Sequence, residues 1–166
     1  MGYLSFYGVL IIIAVIVQSL PISYEIFSGI HPDFLLIIST MVAVNYGRTA
    51  GGVLGFLAGL LQDWFSGGLF GIHAISKTLT AYLCGFLREN IYQHHFLTPL
   101  LITLFATVVN QVLILMFTKL LVEILVLKEV TKEVIVPLAI WNSIISLFVY
   151  PMIYKLESIL IRRKFW

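Results

Sequence analysis

An all-α bundle of membrane-spanning helices is the fold class that the sequence predicts, and three observations predict it. The first is composition: 60% of the 166 residues are hydrophobic and 11% are charged, with a mean hydropathy of +1.04. A soluble domain is nearer half apolar and a quarter charged. The second is the shape of the apolar runs, such as 7–17 and 97–109, which are long and unbroken. Strands of a membrane barrel would alternate polar and apolar in short segments. The third is length: at roughly 20 residues per span, the chain holds five to seven spans, and we expect six. That leaves no separate soluble domain, so residues 1–166 read as one transmembrane unit.

The first span is expected at 3–20, stopping before Pro21. It has no basic leader and no small-residue cleavage site, so it reads as a retained anchor. The second opens at Pro32-Asp33, where proline suits a first turn and aspartate favours the positive end of the helix dipole, and continues to Tyr46. The third and fourth are expected at 49–65 and 72–87, joined by a turn at Ser66-Gly67-Gly68. The apolar run 97–127 exceeds one membrane thickness. Lys119 and Glu123 sit four apart within it, so the span is expected to end near Thr118 and continue outside as an amphipathic helix. The sixth covers 136–158, with Pro151 as a kink site.

With six spans, Arg48, Arg88, Arg162, Arg163 and Lys164 share one side, while Lys128 and Lys132 lie opposite with Glu129 and Glu133. Basic residues in short connections mark the cytoplasmic face, so both termini are expected in the cytoplasm. The tail at 154–166, with Lys155, Arg162, Arg163 and Lys164 beside Phe165-Trp166, reads as an interfacial anchor on anionic lipid, with contact to a cytoplasmic partner as the alternative. A net charge of +2 with no basic run interleaved with aromatics argues against nucleic acid. The single cysteine, Cys84, lies in an apolar stretch and reads as a packing residue.

Ionisable residues within spans usually face a bundle interior or a wet cavity. Asp63, His73 and Lys77 are such residues, and His73 and Lys77 lie one turn apart on a common face. A hairpin about the 66–71 turn would bring Asp63 to a similar depth. An Asp63–Lys77 pair with His73 hydrogen-bonded nearby is therefore expected. The alternative is a ligand-binding cavity on the outer side, with Asp33 joining the other three. Gly51, Gly55 and Gly59, four apart with Gly52 and Ala58 alongside, form a smooth strip where another backbone can approach. The strip serves packing within the chain or contact with a partner's helix. Asn110, Gln111, Asn142, Ser143 and Ser146 fall mid-span and read as interhelical hydrogen-bonding groups.

His94-His95 has no further ligand at zinc spacing, and the glycines around 67–71 lack the lysine and hydroxyl residue of a phosphate loop. No nucleophile with base and acid, no metalloprotease motif and no carboxylate cluster is present. We expect a protein that is not an enzyme and that carries no cofactor.

Residues 32–88 carry a resemblance. Pro32-Asp33-Phe34-Leu35-Leu36, the run from Gly55 to Asp63, Gly68 with Gly71-Ile72-His73-Ala74, and Tyr82-Leu83-Cys84-Gly85 together resemble the rod shape-determining MreD family. Gln62 replaces the apolar residue expected before the acid, and Lys77 belongs to none of these motifs. The resemblance implies a subunit of the rod complex, or elongasome, in the bacterial inner membrane. It implies MreC as the nearest partner. MreB, RodA and a class B penicillin-binding protein are the wider complex, which couples cytoplasmic filaments to lateral peptidoglycan synthesis. The family also resembles the substrate-binding subunits of energy-coupling-factor vitamin transporters, which keeps a small-molecule binder open as the second reading.

Overall fold

A computed structural model of the chain describes residues 3–19, 31–67, 69–89, 97–122 and 134–160. Among them are six α-helices, and no strand. They are α1 (Tyr3–Ser19), α2 (Phe34–Tyr46), α3 (Arg48–Ser66), α4 (Ile72–Cys84), α5 (Thr98–Val122) and α6 (Val136–Leu160), with a 3-10 turn, Gly85–Glu89, extending α4.

The bundle is built around α2. Every residue from Leu35 to Val44 is buried, and α2 packs on each of the other five helices. A helix apolar on all sides must be wrapped by protein or lipid, and here protein does the wrapping. Its start is fixed by Asp33, whose carboxylate accepts the Leu36 N–H at 2.9 Å. Its end is fixed by Gly47, whose N–H reaches the Ala43 carbonyl at 2.9 Å and whose φ of 101° is strained for any residue with a side chain.

Around this axis the other helices divide their apolar surface between core and exterior. On α1, Tyr7, Ile11, Ala14 and Val15 are buried at helical spacing, while Val9, Ile12, Ile13 and Ile16 face outward. On α5, Ile102, Ala106 and Asn110 point in while Leu101, Phe105, Val108 and Val112 point out. An apolar exterior of this kind is stable against hydrocarbon and not against water. The core hydroxyls follow the same logic: Ser39, Thr40, Thr78 and Thr107 each return to a carbonyl of their own helix at 2.6–2.8 Å.

Six separate spans were expected, and this count is corrected. Among the described residues, two helical stretches are long and apolar enough to cross a membrane by themselves, Thr98–Leu120 and Val136–Leu160. The cause is local. α2 and α4 have 13 residues each, about 20 Å of helix against roughly 30 Å of hydrocarbon. α3 has 19 residues but includes four glycines, Arg48, Gln62 and Asp63. The remainder is an all-α bundle consistent with a polytopic membrane protein. The expected outer segment at 119–133 is described only as far as Val122. His94-His95, Lys128, Lys132 and residues 161–166 of the tail lie outside the described residues.

α3 and α4 form the closest pair, and the glycine strip explains it. A Cβ on Gly55 would lie 2.7 Å from the Lys77 carbonyl oxygen, and one on Gly59 would lie 2.4 Å from the Ala74 Cα. At Gly51 it would lie 2.2 Å from the Ala43 Cβ. The strip is covered by α4 and α2 of the same chain, so the partner-helix role does not fall to this face. Gly59→Ala should therefore lower stability by about 1–3 kcal/mol through overpacking. Gly8→Ala, where a Cβ meets nothing within 4 Å, should change it little. Thermal unfolding of the two purified variants checks this.

Candidate functional site: a buried charge network

Lys77 is fully buried on the inward face of α4. Its ammonium is paired with the carboxylate of Asp33, a residue 44 positions away at the start of α2. This replaces the expected Asp63–Lys77 pair. Asp33 divides its carboxylate between two partners: Oδ1 caps α2 through the Leu36 N–H, and Oδ2 takes the Lys77 ammonium. Its own N–H donates to Asn142 Oδ1 at 2.8 Å, and Asn142 Nδ2 donates to Thr107 Oγ1 at 3.1 Å. One chain of polar contacts thus joins α4, α2, α6 and α5. Gly55 is a condition for it, because the approach of α3 to the Lys77 backbone leaves no room for a side chain there.

Asp63 has a different task. It is buried in the last turn of α3 and accepts three backbone N–H groups: Gly71 at 2.9 Å, His73 at 3.1 Å and Ala74 at 3.1 Å. Those donors open α4, whose N-cap position is Gly71 with no side chain to cap it. A carboxylate reaching across the hairpin satisfies the orphan donors and meets the positive end of the α4 dipole. His73 joins through its backbone only. Its ring is half-buried, and Nδ1 has no hydrogen-bond partner among the described residues. Of the four residues expected to form one cluster, the structure brings together Asp33 with Lys77, and Asp63 with the α4 backbone at His73.

A third buried carboxylate escaped sequence reasoning. Glu157 on α6 is 5% exposed and accepts from the Tyr7 hydroxyl at 2.9 Å and from the Tyr46 hydroxyl, linking α6 to α1 and α2. The Tyr7 and Tyr46 rings also meet edge to face, with centroids 5.8 Å apart. The signal was present: Asn142, Ser146, Ile153 and Glu157 are all buried on α6 at spacings that return to one face. Of the other mid-span polar residues, Ser146 returns to the Ser143 carbonyl at 2.7 Å. Asn110 is fully buried with neither amide atom partnered among the described residues.

A cavity of about 420 Å³ opens between α1, α2 and α3, lined by Val15, Gln18, Ser19, His31, Leu35, Gln62, Phe65 and Ser66. None of the four charged candidates lines it. Among the described residues, no three His, Cys, Asp or Glu side chains come close enough to hold a metal.

These features define a helical membrane protein whose buried charges are matched from within and used to hold helices together. The chain belongs to the MreD family: the family model described as rod shape-determining protein MreD matches residues 2–159. It is thus a non-enzymatic membrane protein of the rod shape-determining system. No curated protein and no solved structure matches it.

The Asp63 cap should be separable from the ion pair. Asp63→Ala leaves three N–H groups without their acceptor and should cost about 1–3 kcal/mol. His73→Ala, which keeps the backbone donor, should cost less. Thermal unfolding in one detergent compares the two, and an Asp63→Ala protein as stable as the wild type would deny the cap its role.

Proposed function

We propose that the chain is a scaffold subunit of the rod complex. It binds MreC within the inner membrane and helps couple MreB filaments to lateral peptidoglycan synthesis and cell shape. RodA and a class B penicillin-binding protein belong to the wider assembly. The observation that carries this reading is the family match across residues 2–159. The buried network supports it, since Lys77, Asp33, Asp63 and Glu157 all bond within the chain and act as ties between helices. In this reading the bundle crosses the membrane repeatedly with both termini in the cytoplasm, so α3 ends and α4 begins at the outer face. MreC docks away from the glycine strip, which α4 and α2 cover.

A second reading is a small-molecule-binding subunit of the kind found in energy-coupling-factor vitamin transporters. The cavity between α1, α2 and α3 favours it. The charged residues first considered for that role do not, because Asp33 and Lys77 neutralise each other inside the core.

One experiment separates the two. Depletion of the protein in its own bacterium, followed by microscopy and a pull-down of the tagged chain, should give rounded, lysing cells and recover MreC. Normal cell shape with an ATPase module in the pull-down would instead establish the transporter reading.

A further inference from the structure

Two glycines bring two arginines together where α2 turns into α3. A Cβ on Gly47 would lie 3.1 Å from the Arg88 guanidinium nitrogen Nη1, and a Cβ on Gly85 would lie 2.4 Å from the Arg48 Cα. The turn before α3 and the 3-10 extension of α4 therefore interlock, and Arg48 and Arg88, both exposed, converge on one patch. Three buried acids are engaged elsewhere: Asp33 with Lys77, Asp63 with backbone N–H groups and Glu157 with two tyrosines. Among the described side chains, no carboxylate forms an ion pair with either arginine. Two like charges on one patch attract an anion.

The surroundings identify the kind of anion. The Arg48 guanidinium lies over the ring of Phe86 at 4.8 Å and that of Tyr82 at 5.7 Å. These rings are 50% and 39% exposed, on the outer wall of a bundle that lives in a membrane. Aromatic rings with a basic group beside them are the pattern of the membrane–water boundary. A soluble anion would meet the charges but not the rings. A phospholipid meets both, its phosphate on the guanidinium groups and its glycerol and upper acyl chains along Phe86 and Tyr82.

We propose that Arg48 and Arg88, with Tyr82 and Phe86, form a docking site for the phosphate headgroup of one anionic phospholipid. Guanidinium groups suit the task because their planar forks match phosphate oxygens.

Native mass spectrometry of the full chain, released from micelles holding equal phosphatidylglycerol and phosphatidylcholine, tests this. The wild type should retain phosphatidylglycerol in preference. Arg88→Gln should reduce that preference about fivefold, corresponding to ~1 kcal/mol per basic residue at a membrane surface. Arg48→Gln should do likewise but also loses its contact with the rings, so Arg88→Gln is the deciding variant. Its thermal unfolding in phosphatidylcholine alone should match the wild type. Lys155→Gln, an exposed basic residue on α6, should leave the preference unchanged. Equal retention of the two lipids would overturn the proposal, as would an unchanged Arg88→Gln or an equal loss in Lys155→Gln. Stabilisation by inorganic phosphate alone, as large as that by phosphatidylglycerol, would assign the site to free phosphate and refute the lipid.

Discussion

A lysine ammonium with no exposure to solvent is the costliest group in this protein, and the arrangement of the helices follows from where its charge is neutralised. Removing an ion from water costs several kcal/mol even after relaxation, so a buried charge persists only where an opposite charge or hydrogen-bond donors offset that cost. Lys77 meets that condition through Asp33, and Asp33 can provide it only if α2 begins where it does, in contact with α4 and α6. Asn142 accepts the Asp33 N–H and passes the constraint to Thr107 on α5. Four helices are thereby set in register by one charge. In a membrane, where apolar side chains gain nothing by leaving lipid for each other, such polar ties and close packing decide which helices associate.

Close packing is the second half of the same constraint. The contact at Gly55 is with the carbonyl of Lys77 itself, so the glycine that admits α4 also sets the depth of the ammonium. Asp63 then fixes the rotation of α4 by holding its first N–H groups from the end of α3. The hairpin is clamped at its turn by a carboxylate, along its length by missing side chains, and from the far side by Asp33. At the opposite end of α6, Glu157 repeats the device with hydroxyl donors, tying in α1 through Tyr7 and α2 through Tyr46.

Much of this was legible in the sequence where a local signal fixed it. Pro32-Asp33 opens α2 and the turn at Ser66-Gly67-Gly68 separates α3 from α4, and the bounds of the three helices fall within a few residues of the expected ones because capping and turn chemistry are local properties. The glycine strip was recognisable as a packing face, since spacing alone puts Gly51, Gly55 and Gly59 on one side of a helix. The partner of Lys77 was not legible. Depth along the hairpin suggested Asp63, but Asp63 lies nearer the turn, where unsatisfied N–H groups compete for it. Asp33 is remote in sequence and arrives only through the tertiary fold. Glu157 was lost for a different reason: it sits among Lys155 and the basic tail and reads as a surface charge unless the Asn142–Ser146–Ile153 face is extended to it. The span count differs because an apolar segment such as α2, at 13 residues short for a span, is wrapped by its neighbours.

Asp33 and Lys77 act as one neutral unit in the bundle, and a double-mutant cycle on thermal unfolding probes that coupling. Asp33→Asn and Lys77→Met each leave one buried charge without its partner, and each should destabilise by about 3–5 kcal/mol. The double variant removes both charges, keeps an oxygen to cap α2, and should be more stable than either single variant. A double variant whose loss equals the sum of the two single losses would contradict the account, because the residues would then be acting independently.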